Sequence, residues 1–168
     1  HAFRDELARL DATATAEAIR EGSVTRAEVI EAAIARAESM QPALAAIVTA
    51  DYDRARSVAA STTVTGAFAG VPTFIKDMND VAGLPTRFGS NALASAPSAT
   101  KNDAFVAQML DMGLVCLGKS TMPEFGFTPS AEFPSGDATR NPWNLDRSAG
   151  GSSGGAAALV AAGVVPIA

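Results

Sequence analysis

The clearest helical signal begins at Thr25-x-x-Glu28, a capping-box pattern in which a hydroxyl and a carboxylate reciprocally satisfy amides of a first helical turn. Val29, Ile30, Ala33, Ile34 and Ala37 then recur at helical spacing, which predicts one apolar face docked on a core, stopped by Gln41-Pro42. Ala43 to Ala50 is a short apolar run of strand type, Asp51 to Ala60 a second, weaker helix, and Ser61 to Gly66 a polar loop. From Ala69 the pattern changes. Val71 to Ile75 is an apolar strand entered through Pro72 and closed by Lys76, which places the proline at a strand start or a sheet edge. Met78 to Lys101 is irregular. Asp103 to Met112 predicts a helix ended by Gly113, Leu114 to Leu117 a short buried strand, and Ala156 to Ala162 a last helix. Alternating helices and strands favour an α/β sheet with helices on its faces, and no repeat or charge block interrupts the order.

Composition narrows the picture. A length of 168 residues fits one domain, and 48% hydrophobic against 18% charged residues points to a large buried interior. The formal charge of −5 and the absence of a basic stripe speak against nucleic acid or acidic lipid as partners. The single Cys116, inside an apolar run, excludes an intrachain disulfide and suggests a buried thiol in a reducing, cytoplasmic setting. No basic segment followed by an apolar one opens the chain, and Ala156 to Ala168 is too short and too broken by Pro166 to span a membrane. His1 reads as a remnant of a terminal tag rather than a ligand.

Three motif matches fail on context. Gly113 to Ser120 satisfies G-x-x-x-x-G-K-S, yet its middle is an apolar strand and Pro123 interrupts the helix that a phosphate loop requires. Ser98-Ala99-Thr100-Lys101 matches S-x-x-K without either companion motif of the penicillin-recognising enzymes. Gly150 to Gly155 can be read as G-x-S-x-G, but a turn-rich approach from Asn141 to Asp146 replaces the strand of a nucleophile elbow, and no histidine other than His1 is present.

A serine hydroxyl needs a base, and without histidine the remaining candidate within this chain is a lysine held neutral by burial. Lys76 closes an apolar strand; alternation puts Phe74 on its face and sends Asp77 to the other. The competing reading is a structural ion pair of Lys76 with Asp77 or Asp80. Ser152 and Ser153, flanked by glycine pairs at the start of a helix, could relay a proton or simply cap that helix. Residue chemistry alone leaves both alternatives open.

Three segments then have to be taken together: Gly70-Val71-Pro72-x-x-x-Lys76-Asp77, Gly118-Lys119-x-x-Met122-Pro123-Glu124-Phe125-Gly126, and Asn141-Pro142-Trp143 through Gly150-Gly151-Ser152-Ser153-Gly154-Gly155. In order and spacing they resemble the amidase signature family, and the similarity covers essentially the whole chain. The resemblance implies a mixed β-sheet core covered by helices, of which this is the N-terminal portion. Residues 1–60 would be mainly helical and 69–168 the start of the α/β catalytic core, with the remainder of the domain missing. It implies a Ser-cisSer-Lys set: Lys76 as base, Ser152 as bridging serine on a cis peptide bond, Ser153 as support, and a nucleophilic serine in a D-x-G-G-S-x-R-like segment beyond Ala168. The implied chemistry is hydrolysis of a small-molecule amide through an acyl-enzyme, with no cofactor and no metal, by the intact parent; the isolated chain would be inactive. Arg140 to Ala149 most resembles the branch of linear and cyclic amide hydrolases that contains 6-aminohexanoate cyclic dimer hydrolase. The alternative is a non-hydrolytic, amidase-like subunit of a transamidation assembly on transfer RNA, with the acidic balance arguing against direct contact with the RNA. The remainder of the domain is the expected partner, a homodimer is left open, and the isolated chain is expected to expose an unfinished sheet edge. Phe125, Phe127 and Trp143 are candidates for a pocket wall, with burial in a core as the competing reading.

Overall fold

The computed structural model describes residues 5–133 and 138–168; the tag reading of His1 lies outside the described residues. Helices α1 (Ala12–Arg20), α2 (Arg26–Leu44), α3 (Tyr52–Ala60), α4 (Ala104–Asp111) and α5 (Gly154–Ala161) surround a sheet of β1 (Ile47–Ala50), β2 (Pro72–Lys76) and β3 (Val115–Ser120). The sheet order is β1-β3-β2, with β2 parallel and β1 antiparallel to the central strand. A separate hairpin joins β4 (Arg140–Asn141) to β5 (Asn144–Ser148). The architecture is mixed α/β.

Strand alternation sorts the core into two layers. Phe74, Val115 and Leu117 meet Ile30, Ile34 and Leu44 of α2 and Leu159 of α5 on one face of the sheet. Ile75, Leu114 and Cys116 meet Val106 and Met109 of α4 and Ala16 of α1 on the other. Full burial of each large aliphatic or aromatic side chain here is worth about 1.5–3 kcal/mol, so the sheet is held from both sides. All six residues of β3 are buried, as a central strand covered on both faces should be. Cys116 is a free, buried thiol, and desolvation pushes its pKa up. Among the described residues, no helix is long and apolar enough to cross a membrane.

The capping box forms: the Thr25 hydroxyl accepts from the Glu28 amide at 3.2 Å, and Glu28 Oε2 accepts from the Thr25 amide at 2.7 Å. The helix it opens does not stop at Gln41-Pro42 but runs on to Leu44. Pro42 falls in the last turn, where its missing N–H forfeits one bond rather than breaking a ladder. Leu44 is fully buried, which draws the final turn into the core. Gln41 then ties the turn to the next strand, its Oε1 accepting from the amides of Ala46 and Ile47 and its Nε2 donating to Ile47 O at 2.8 Å. The strand expected from Ala43 consequently begins only at Ile47.

Two further boundaries differ from the sequence reading. β3 continues through Gly118-Lys119-Ser120, and at Gly118, with φ of +143°, any Cβ would press into the carbonyl of Thr49 on the neighbouring strand. The turn-rich Asn141 to Asp146 is part of the β4–β5 hairpin, whose corner is set by Asn141 Oδ1 accepting from the Trp143 amide at 2.9 Å.

Candidate active site

Lys76 is the last residue of β2, at the carboxyl end of a strand whose preceding four residues are buried. That placement delivers its stem through apolar surroundings and its ammonium to the rim, where desolvation lowers its pKa below the ordinary lysine value. Opposite it, the loop that opens α5 presents Ser152 and Ser153, and the Gly151–Ser152 peptide bond is cis. Lys76 Nζ donates to Ser152 Oγ at 2.7 Å and to Ser153 Oγ at 3.0 Å. Ser153 occupies the N-cap position of α5 yet makes no side-chain cap bond; its hydroxyl is engaged by Lys76 instead.

Glycine makes this approach sterically possible. A Cβ on Gly155 would run into Thr121 N and Oγ1, and one on Gly154 into the Ala131 side chain, so the first turn of α5 lies flush against the segment that follows β3. The Gly155 amide donates to Thr121 O at 3.2 Å, and the Thr121 amide donates to Ala46 O at 2.9 Å. The hydroxyls of Thr121 and Thr139 share a 2.6 Å hydrogen bond. The serine loop is therefore fixed to β3 and to the start of β1.

Asp77 does not pair with Lys76. It points to the opposite face, is 1% exposed, and forms an ion pair of 3.2 Å with the fully buried Lys119. Among the described residues no ion pair involves Lys76, and no group of three or more acidic, histidine or cysteine side chains is placed to hold a metal. The Lys119–Asp77 pair was missed at the level of sequence. Alternation did not signal it: a register shift between Thr73 and Ile75 pairs Lys119 with Ile75, on the face opposite Leu117, and its acid is the residue that follows β2.

Beside the serines, Phe88, Phe125 and Phe127 form a row with ring centroids 6.2 and 6.1 Å apart, Phe127 being 87% exposed. The row borders the centre through Gly126, where a Cβ would lie 3.8 Å from Ser152 Oγ. Trp143 is exposed on the β4–β5 hairpin. A cleft of about 450 Å3, lined among others by Asp77, Arg87, Ser90, Thr121 and Met122, opens next to the Asp77 side.

The sequence profile of the amidase family matches residues 28–168. The chain belongs to the amidase signature family. It is 54% identical over 171 residues to the "Putative amidase AmiC" of Mycobacterium tuberculosis (strain ATCC 25618 / H37Rv), an alignment covering all of this chain and 36% of that protein. It is 41% identical over 160 residues to the 6-aminohexanoate-cyclic-dimer hydrolase of Paenarthrobacter ureafaciens, covering 94% of this chain and 32% of the relative. The solved structure of 6-aminohexanoate cyclic dimer hydrolase complexed with substrate superimposes with a TM-score of 0.90 at 39% identity, over 96% of this chain and 33% of that one. The chain thus spans about a third of the length of the relatives it matches.

Proposed function

We propose that these residues supply the lysine and bridging-serine part of an amide hydrolase working by a Ser-cisSer-Lys mechanism. The observation that carries this reading is the 2.7 Å contact between the desolvated Lys76 amine and Ser152 Oγ, with the neighbouring carboxylate of Asp77 committed to Lys119. Neutral Lys76 accepts the Ser152 proton, and Ser152 accepts one from a nucleophilic serine in a segment C-terminal to Ala168. That serine adds to the amide carbonyl. Return of the proton through Ser152 to the nitrogen releases the amine and leaves an acyl-enzyme, which water cleaves to the carboxylic acid. Ser153, the second acceptor on Lys76, orients the amine. The named hydrolase among the relatives favours linear or cyclic amides as the substrate class. The free, buried Cys116 suits a cytoplasmic setting.

The test is hydrolysis of a small aryl amide by the protein produced from its full natural coding sequence. Because the base must be neutral, kcat/KM should rise with pH through the lowered Lys76 pKa and level off above it. Lys76→Ala should lose about 100- to 10,000-fold in kcat/KM. Turnover that persists in Lys76→Ala with an unchanged pH profile overturns the reading.

A further inference from the structure

Lys119 and Asp77 withdraw two full charges from water beneath the candidate site, with side-chain exposures of 0% and 1%. Further polar partners stabilise burial of this kind; Asp77 Oδ1 has no hydrogen bond beyond the ion pair, and the side-chain partners of Asp77 Oδ2 and Lys119 Nζ come from one returning segment. Lys119 Nζ donates to Pro85 O at 3.3 Å and to Thr86 Oγ1 at 3.0 Å. Asp77 Oδ2 accepts from the Arg87 amide at 3.3 Å, and Asp77 O accepts from the Phe88 amide at 3.1 Å. The same segment reaches the serine loop by a second route. Phe88 O accepts from the Phe125 amide at 2.8 Å, Gly89 lies flush against Met122 O, and Gly126 of that turn borders Ser152.

We propose that Lys119 and Asp77 are a positioning pair for the hydrolysis described above, on which this inference rests. The pair clamps residues 85–88 between the end of β2, which carries Lys76, and the Met122–Phe127 turn, which abuts Ser152, and so holds the amine and the bridging hydroxyl at contact distance. It also keeps the carboxylate that follows Lys76 in sequence occupied on the far face of the sheet. Neither residue touches the reacting atoms. Gly118-Lys119-Ser120, which has the letters of a phosphate loop, serves here as an internal strut.

The full-length protein would be assayed on a small aryl amide as Lys119→Met, as Asp77→Asn/Lys119→Met, as Thr86→Val and as Lys76→Ala. Lys119→Met leaves a buried carboxylate unpaired, so melting temperature and kcat should both fall. The double variant removes both charges and should recover most of the melting temperature, while kcat stays about tenfold or more below the parent with KM changed less than about threefold. A purely structural pair would recover kcat along with stability. Thr86→Val leaves the ion pair in place, removes the Lys119 bond to the clamped segment together with the 3.4 Å bond from Thr86 Oγ1 to Asn79 O, and should lower kcat several-fold while the melting temperature falls less than in Lys119→Met; it decides the matter if the double variant does not fold. Parental kcat in Thr86→Val and in any folded double variant, beside an inactive Lys76→Ala, overturns the positioning role alone. An active Lys76→Ala instead removes the hydrolytic reading on which that role depends.

Discussion

At Gly155 the requirement is steric and local. The residue is buried where α5 begins, and its missing side chain lets Thr121 and Ala46 approach the helix backbone. A methyl group there has to displace main-chain atoms of Thr121 rather than the tip of a flexible side chain. Gly155→Ala should therefore destabilise the fold by about 1–3 kcal/mol, the usual range for overpacking. Equilibrium urea unfolding measures it, and a change within about 0.5 kcal/mol would refute the close contact. Much of the candidate site was legible at this scale. Lys76 stood out because it ends an apolar strand in a chain without a usable histidine, and the paired serines because glycines flank them. The choice between capping and proton relay for Ser153 was not legible, since it depends on a lysine that lies 77 positions away in sequence. Lys119 was invisible for the same reason, its acid partner arriving from a different strand.

Among the elements, α4 shows how a single cap can also tie a loop. Asp103 accepts from the Val106 amide at 2.8 Å as an N-cap, and its other oxygen accepts from Asn79 Nδ2 at 2.8 Å and from the Asp80 amide at 3.1 Å. Desolvation pushes this carboxyl up, but the hydrogen bonds from Val106, Asn79 and Asp80 outweigh it and hold the pKa below the ordinary aspartate value. A depressed carboxylate contributes stability above its unfolded pKa and loses it as pH falls through the folded one. Asp103→Ala should cost about 1–2 kcal/mol near neutral pH. The gap to the parent should narrow as pH falls below the ordinary aspartate value of about 3.9 and through the lowered folded-state pKa, where Asp103 protonates in the parent. Urea midpoints at the two ends of that range check both the size and the sign, and a gap that widens in acid would contradict the assigned bonds. The helix start at Asp103 was readable because a cap acts within one turn. The end of α2 was not: Pro42 argues for a stop, and what carries the helix on to Leu44 is a tertiary core together with the Gln41 clamp on Ile47.

For the molecule as a whole, the α/β order could be read from alternation, whereas the way distant segments close on one another could not. Arg36, midway along α2, is 4% exposed and makes bonds of 3.2 Å from both Nε and Nη2 to Val164 O, while Nη1 pairs with Asp5 at 3.0 Å. One side chain thus joins the first described turn, the longest helix and the segment after α5, across a separation of 128 residues to Val164. Nothing in the periodicity of α2 announces this, because an arginine on an otherwise apolar face reads as an exception until its partners are known. The two ends of the clamp are unequal. Asp5 is 38% exposed, so water can replace its partner, and Asp5→Asn should cost no more than about 1 kcal/mol. Arg36→Met strips a buried carbonyl of both its donors and should cost about 1–3 kcal/mol, even though methionine refills much of the apolar volume. The order of the two variants in urea unfolding is the discriminating result: a larger loss for Asp5→Asn would mean that the surface charge pair, and not the buried carbonyl, fastens the C-terminal segment to the fold.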